Sequence, residues 1–466
     1  MQTVHLSKHG LSVPCNGDED FLRHARAIAQ TPCSVVLLSG GPLWDGDENR
    51  YSLAAWDPFL LYRAKSGRCE LTSSRGTVSF DANPLEILDE VVGTLRPEFP
   101  LVAPPFSGGA LGYLSYDLKN CIERLPQTAL DDLDLPDLFL LWPQRILVHD
   151  RRENRFTHLE MTPEGEAPSP PSFLSAIPGS SFPGALGAGT LRSNFTRPEY
   201  LDAVRAVREY ILSGDVYQVN LSQRFRFPFR GDPFRLWTAL FQKNPAPFYA
   251  FVNGGDHWVL STSMERFLCR RGGVLETRPI KGTRKRGRDD AEDTALKLDL
   301  LDDPKDDAEL SMIVDLLRND LGRICAGRSV RVKEHKRLET YQNVHHLVSV
   351  VEGELRPGVS LGDILRATFP GGSVTGCPKI RSMEIIDELE PTVRHVYTGA
   401  IGYFGWHDNM DSNIAIRTAL VHNEQCYFSV GGGVVYDSRE EDEYEETLHK
   451  ARTFFEVIRE MGVEIR

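Results

Sequence analysis

The segment RPIKGTRKRG, residues 278–287, sets Lys281 between isoleucine and glycine and follows it with Arg284, Lys285 and Arg286. A lysine near its ordinary pKa of about 10.4 is almost wholly protonated at neutral pH and has no lone pair with which to attack carbon. Like charges nearby, or removal of the ammonium from water, favour the neutral amine. Arg278, Arg284, Lys285 and Arg286 are the neighbours that would depress the pKa of Lys281 and make it a nucleophile. The same residues also read as a solvated basic loop, with Pro279 closing a strand and Gly282 permitting a turn.

Two acidic patterns accompany the lysine. A helix from Asp306 is apolar at Leu310, Ile313, Val314, Leu317 and Leu321, which defines one buried stripe. Glu309 falls about a quarter turn to one side of it, with Leu316 and Asp320, either at the edge of a cleft or on a solvated flank. In the C-terminal helix, Glu443, Glu446 and Lys450 lie at i, i+3 and i+7 on one face that Phe454 continues toward the core. Carboxylates from separate helices suit magnesium, a hard ion that takes oxygen ligands and keeps part of its water. The plain alternative is a surface pair between Glu446 and Lys450. Removing either Glu309 or Glu446 is expected to cost little stability.

Other residues offer binding rather than bond-making. Gly431, Gly432 and Gly433 in SVGGGVVYDS are expected directly after a strand, where bare backbone N–H groups cradle an anion or the chain simply bulges. Arg417 in NIAIRTAL is a lone cation in an apolar strand pattern and calls for a bidentate carboxylate. His346 in VHHLVSVV is a hydrogen-bonded core histidine or a catalyst, and His345 points to the opposite face if the segment is a strand.

These residues need a large scaffold, and 466 residues supply one. Hydrophobic residues make up 41% and charged ones 26%, which is ordinary globular usage, and no run approaches the roughly 20 apolar residues of a membrane span. The opening MQTVHLSKHG lacks the apolar core of a secretory signal, so a cytoplasmic location is expected. A net charge of −13, with DDAED following the basic run, argues against nucleic acid. Eight scattered cysteines without a CxxC pair read as reduced thiols.

Residues 161–190, rich in Pro, Gly, Ser and Ala, read as a linker between a sheet-rich first part and a mixed second part. RPEYLDAVRAVREYILSG reads as an amphipathic helix, DAELSMIVDLLRNDLGRI and DEYEETLHKARTFFEVIREM as two more. FYAFVN, WVLSTS, VLETRPI, VYTGAIGYFGW and QCYFSVGGGVVYDS read as strands. Without regular strand and helix alternation, the pattern favours α+β over a doubly wound sheet.

Taken in order, NFTRPEYLDAVRAVREYILSGDVYQVNLSQRF, RPIKGTRKRG, DDAELSMIVDLLRNDLGRI, NVHHLVSVVEGEL, FPGGSVTGCPKIRSMEIIDELEP, GAIGYFGW, AIRTAL and GGGVVYDS resemble the chorismate-utilising enzymes over nearly the whole chain. The resemblance implies an α+β fold of two large antiparallel β-sheets packed together and flanked by helices. Within it, residues 1–160 form an N-terminal region and 195–466 the chorismate-binding catalytic region. Members that add water look for a lysine base where this chain has Gln218. Members that aminate at C2, giving anthranilate, usually carry alanine at the place of Lys281; those that aminate at C4 carry lysine. The implied reaction therefore converts chorismate and ammonia to 4-amino-4-deoxychorismate, for para-aminobenzoate and folate synthesis. Anthranilate formation and a silent tryptophan-binding subunit are the alternatives.

The same resemblance implies roles residue by residue. Lys281 is the nucleophile, Glu265 in STSMERF the general acid and base, and His346 the histidine near the reacting ring. Mg²⁺ would be held by Glu309 and Glu446 with Glu443 in support. Gly282, Thr283, Tyr403, Arg417, Gly431, Gly432, Gly433 and Lys450 would contact substrate. Met264 departs from the proline common before that glutamate. Ammonia would come from a separate glutamine amidotransferase subunit or from free ammonium, since the sequence shows no glutaminase segment with a nucleophilic cysteine elbow. VVLLSGG with NRYSLAAWDP resembles a tryptophan site, while Ser39 and its surroundings read equally as core strand.

Overall fold

Alternation of apolar side chains along the strands decides how this chain layers. In Ser34–Leu38, Val36 packs into one core cluster and its neighbour Val35 into another; in Leu138–Asp150, Leu138, Leu140 and Trp142 join one cluster while Phe139 and Leu141 join a second. A strand buried on both faces must be covered on both, so such strands lie inside a layered body. The computed structural model describes residues 6–41, 43, 49–95, 97, 105–163 and 189–462. Among them, 22 strands join through antiparallel pairings into one continuous network.

The network folds over so that its inner faces meet. The cluster containing Val35, Leu53, Leu111, Tyr113, Phe139 and Val252 is built almost wholly from strands, as expected where one sheet layer packs on another. The outer faces are covered by helices: Asp18–Ile28, Pro233–Lys243 and Glu440–Glu460 on one side, Pro84–Thr94, Pro304–Gly322 and Leu361–Thr368 on the other. This is the expected α+β arrangement of antiparallel strands flanked by helices. The first and second halves interleave, because Ser34–Leu38 pairs with Tyr249–Asn253 and Gly109–Leu114 with Ala400–Gly405. Burial of Trp142 and Trp237, each fully inaccessible, stabilises by roughly 2–3 kcal/mol per ring at ordinary transfer energies.

The expected helices form at Arg197–Leu212, Pro304–Gly322 and Glu440–Glu460. The first begins with a capping box between Thr196 and Glu199; the second has Pro304 at its start and Asp303 accepting from the backbone N–H groups of Lys305 and Asp306. Three local expectations are corrected. Lys281 lies in a strand, Ile280–Lys285, not in a loop, because that segment finds a partner in Val344–Glu354. Gly431, Gly432 and Gly433 lie within the strand Gln425–Val434 and not after it. Arg417 sits in the turn between Asn409–Ile414 and Thr418–His422 with φ 49°, not inside a strand.

Met161–Pro163 of the expected linker end the strand Arg155–Pro163, and residues 164–188 lie outside the described residues. All eight cysteines are free thiols. Among the described residues no helix is long and apolar enough to cross a membrane. Ser39 is buried, its N–H bonded to Ser52 Oγ at 3.1 Å and its hydroxyl donating to the Tyr51 carbonyl at 2.7 Å, so its polar groups are satisfied within the fold.

Candidate active site

The strand pairing that carries Lys281 is irregular at one residue. Between Lys281 and Thr283 the register against Val344–Glu354 shifts, and the residue responsible, Gly282, has φ 76°. A Cβ there would stand 2.9 Å from Leu300 Cδ1 and 3.0 Å from Asp306 Cγ. Only glycine lets the strand bulge while the helix Pro304–Gly322 approaches this closely. The approach delivers Glu309 to Lys281, with Nζ donating to Oε1 at 2.6 Å.

The basic neighbours turn elsewhere. Arg278 pairs with Glu276 at 2.6 Å, Arg286 with Asp293 at 2.7 Å, and Arg284 spans Asp299, Asp303 and Asp306 at 2.5, 2.8 and 3.0 Å. Lys281 is therefore surrounded by carboxylates and not by cations. Burial alone would push its pKa down, but Glu309, with Glu265 and Glu446 beyond it, outweighs burial and holds the ammonium above the ordinary lysine value. The sequence expectation of a depressed pKa is thus reversed: in this arrangement Lys281 carries its proton, and Glu309 is the carboxylate that stabilises the ammonium.

Gly432 and Gly433 form the floor over which the acids meet. Gly433 faces Asn220 on the strand Gln218–Pro228, and a Cβ on it would stand 2.1 Å from Gln218 Nε2 and 3.2 Å from Glu309 Oε1. Gln218 uses that space to donate to Glu309 at 2.7 Å. One residue earlier, a Cβ on Gly432 would stand 3.1 Å from Glu443 Oε2 and 3.4 Å from Glu446 Oε1. Carboxylates from two helices far apart in the chain are thereby brought to one short stretch of bare backbone. Lys450 pairs with Glu446 at 2.5 Å and donates to the Gly431 carbonyl at 3.1 Å.

Whether these acids suit a cation is decided by Glu443. It is buried, one oxygen accepts from Ser438 Oγ at 2.6 Å, and the other has no hydrogen-bond partner. Burial raises its pKa, the Ser438 bond opposes this, and Glu446 raises it further. An orphaned buried carboxylate oxygen beside a second carboxylate is the donor chemistry that a hard, partly hydrated divalent ion satisfies. No closed trio of His, Cys, Asp or Glu stands ready-made among the described residues. Glu309, Glu443 and Glu446 would hold such a cation together with retained water, and it would supply positive charge among these carboxylates.

Glu265 lies on the other side of Lys281. It is buried, burial raises its pKa, and Ser373 Oγ donating at 2.6 Å partly offsets the rise. A carboxyl biased toward its protonated form suits proton donation. The Arg417 carbonyl accepts from Thr262 N–H at 3.1 Å and Oγ1 at 2.8 Å, whereas its guanidinium has no carboxylate partner among the described residues. It lines a small cavity with Lys450, Tyr249, Thr262 and Phe428. His346 has both ring nitrogens engaged, Nδ1 with Thr283 Oγ1 at 2.9 Å and Nε2 with Met264 Sδ at 3.0 Å. His345 faces the other way, bonding Thr340 and Asp293.

Lys281, Glu265, Glu309, Glu443, Glu446, Lys450, Gln218 and the three glycines are thus linked by contacts or by their fields. Tyr403 is not among them. It lies in the core between the layers against Phe106, at 5.2 Å between ring centroids, with its hydroxyl buried and unbonded. Two residues of the site were missed from sequence. Ser373 carries no periodic or charge signal, while Asp306 stands three residues before Glu309 and was legible as sharing its flank. A cavity of about 730 Å³, lined by Met312, Leu316, Phe369 and Lys379 among others, has none of the catalytic candidates in its lining.

A sheet-layered body with this cluster is a known design, and the chain belongs to the chorismate binding enzyme family, which matches residues 42–456. Within that class it is similar to aminodeoxychorismate synthase component 1 of Bacillus subtilis (strain 168), 38% identical over 452 residues that span 95% of this chain and 95% of the relative. It is also similar to anthranilate synthase component 1 of Cereibacter sphaeroides, 38% identical over 447 residues, 91% of this chain and 89% of that one. Among solved structures, anthranilate synthase component I from Streptococcus pneumoniae TIGR4 superposes with a TM-score of 0.76 at 32% identity, covering 88% of this chain and 93% of that chain.

Proposed function

We propose that the chain is the chorismate-aminating component of an aminodeoxychorismate synthase, placing ammonia on C4 of chorismate to give 4-amino-4-deoxychorismate. Identity separates the relatives only narrowly, 38–39% for those named aminodeoxychorismate synthase component 1 and 34–38% for those named anthranilate synthase component 1, so one observation carries the choice. That observation is Lys281, with its Nζ 2.6 Å from Glu309 and within the field of Glu265. Anthranilate-forming members usually have alanine there. Residues 195–466 supply every group in the mechanism, and the described strands Ser34–Leu38 and Gly109–Leu114 of the N-terminal region 1–160 pair with strands of that part. The protein works in the cytoplasm with a glutamine amidotransferase subunit as its ammonia source.

Lys281 must first give its proton to water, which neutralisation of the Glu309 charge would ease, and its freed amine then adds at C2 as the C4 hydroxyl departs. Glu265, kept protonated by burial, gives its proton to that hydroxyl, which leaves as water. Ammonia then adds at C4 and the C2 to lysine bond breaks, and the proton lost by the new ammonium goes to the departing amine of Lys281. Two allylic displacements thus put nitrogen at C4. When bound by Glu309, Glu446 and Glu443, Mg²⁺ would supply positive charge for a substrate carboxylate. Arg417 and Lys450 hold the remaining negative charge of the substrate.

With chorismate, Mg²⁺ and ammonium, the purified chain is expected to form 4-amino-4-deoxychorismate, which an added lyase converts to para-aminobenzoate. Glutamine in place of ammonium should give no turnover without a glutaminase. Fluorescent anthranilate as the main product would overturn the assignment.

Arg417 provides a second check. Because its partly buried guanidinium pairs with no carboxylate among the described residues, Arg417→Met removes a partly desolvated charge and should leave the melting temperature unchanged or raised. The same change should raise KM for chorismate about 10- to 100-fold, the scale of a lost charge-assisted hydrogen bond. A lowered melting temperature with unchanged KM would show the arginine to be structural.

A further inference from the structure

Met264 stands where relatives commonly carry proline, and its side chain ends on the imidazole of His346, Sδ to Nε2 at 3.0 Å. A thioether sulfur has no hydrogen to give and accepts only weakly. A nitrogen lone pair facing sulfur lone pairs at that distance would repel, so the contact requires the proton to be on Nε2. The ring is neutral, because burial first and Arg417 second push its pKa down to about 3. A neutral imidazole with its proton on Nε2 has a lone pair on Nδ1. Thr283 Oγ1, 2.9 Å from Nδ1, must then be the donor.

We propose that Met264 is a positioning residue whose thioether fixes His346 as the Nε2–H tautomer and thereby commits the Thr283 hydroxyl proton to His346. The oxygen lone pairs of Thr283 are left as acceptors, two residues from Lys281 on the same strand. An acceptor there suits an N–H or O–H group of the reactants, such as ammonia or the substrate hydroxyl, and repels a carboxylate. The Gly282 backbone also acts on the His346 ring and, as a carbonyl, competes with the Met264 thioether as an acceptor for the ring proton. The Tyr341 ring, edge-on to His346 at 5.7 Å, has no part in the proton assignment but keeps the imidazole plane from turning. A proline at 264 has no acceptor with which to make this choice.

The inference rests on the proposed function for its kinetic consequence alone, since the tautomer is a property of the free protein. The test uses full-length protein labelled with ¹⁵N-histidine, with the His346 signals identified by their loss in His346→Asn. Wild type should show Nε2 protonated and Nδ1 bare. Met264→Leu keeps the volume but not the acceptor, and should move the proton to Nδ1 and lower kcat with chorismate and ammonium about tenfold, the worth of one hydrogen bond. Met264→Gln keeps the length and an acceptor, and should restore the Nε2–H tautomer and most of the kcat. A wild-type ring protonated on Nδ1, or one tautomer shared by wild type and Met264→Leu, overturns the inference whatever product the enzyme forms. A shifted tautomer with unchanged kcat overturns the role assigned to Thr283.

Discussion

Lys281→Ala is expected to lose C4 amination by a factor on the order of 10²–10⁴, the range for removing one side chain that acts in the bond-making step. The expectation follows from position as well as chemistry. The amine projects from a strand held by the Val344–Glu354 pairing and bulged at Gly282, a position that no neighbouring lysine shares. Its nearest competitor, Lys450, is tied to Glu446 and the Gly431 carbonyl. The variant leaves Glu265 and the glycine floor in place, and ammonia can then attack C2 directly. Some C2-aminated product should therefore appear, recreating the outcome of members with alanine at this position. The adduct proposed for the wild type would be an amine and not an imine, so intact mass after incubation with chorismate is the suitable measurement. Covalent addition to wild type that the variant lacks is the expected result, and equal labelling of both would reject the nucleophile.

Glu309→Gln and Glu446→Gln should both abolish turnover at limiting Mg²⁺, yet differ in stability. The sequence expectation was that neither would cost much. Glu309 and Lys281 form a pair whose side chains are only 22% and 15% exposed, whereas Glu446 and Lys450 are 47% and 40% exposed. Losing one partner of the enclosed pair strands an ammonium and should cost about 1–3 kcal/mol, while the exposed pair is worth about 0–1 kcal/mol. The pH dependence separates them as well. Burial works to raise the Glu309 pKa, but Lys281 and Gln218 outweigh it and leave it below the usual glutamate value. A depressed carboxylate contributes stability that is present above its unfolded pKa and is lost as pH falls through the folded one. Wild type should therefore lose stability on acidification through the carboxylate range more steeply than Glu309→Gln. Denaturant titrations at several pH values measure this, and matching curves would show that the Lys281 pair adds nothing to the fold. Near-normal activity of both variants at limiting Mg²⁺ would remove the metal site.

Periodicity in the chain was enough to place the helices that carry Glu309, Glu443, Glu446 and Lys450, because one buried stripe at a spacing of about 3.6 residues can be read without knowing what covers it. Residue types were enough to mark Lys281, Arg417 and the three glycines as exceptional, and composition was enough to disfavour nucleic acid. Periodicity says nothing of which strand pairs with which. Placing Lys281 in a strand required the partner Val344–Glu354, more than 60 residues away, and the glycines proved to be strand interior for the same reason. The charge state of Lys281 was beyond the sequence altogether. Four cations stand near it along the chain, but Coulomb energy depends on distance in space, and folding turns Arg278, Arg284 and Arg286 to acids of their own while bringing Glu309 to 2.6 Å. Tyr403 shows the converse: a motif position put it with the substrate, and the alternation of its strand turns its ring into the core between layers. The types of groups available were written along the chain; which of them meet, and with what charge, was decided by contacts between segments that local periodicity does not connect, such as Lys281 with Glu309 and Gln218 with Glu309.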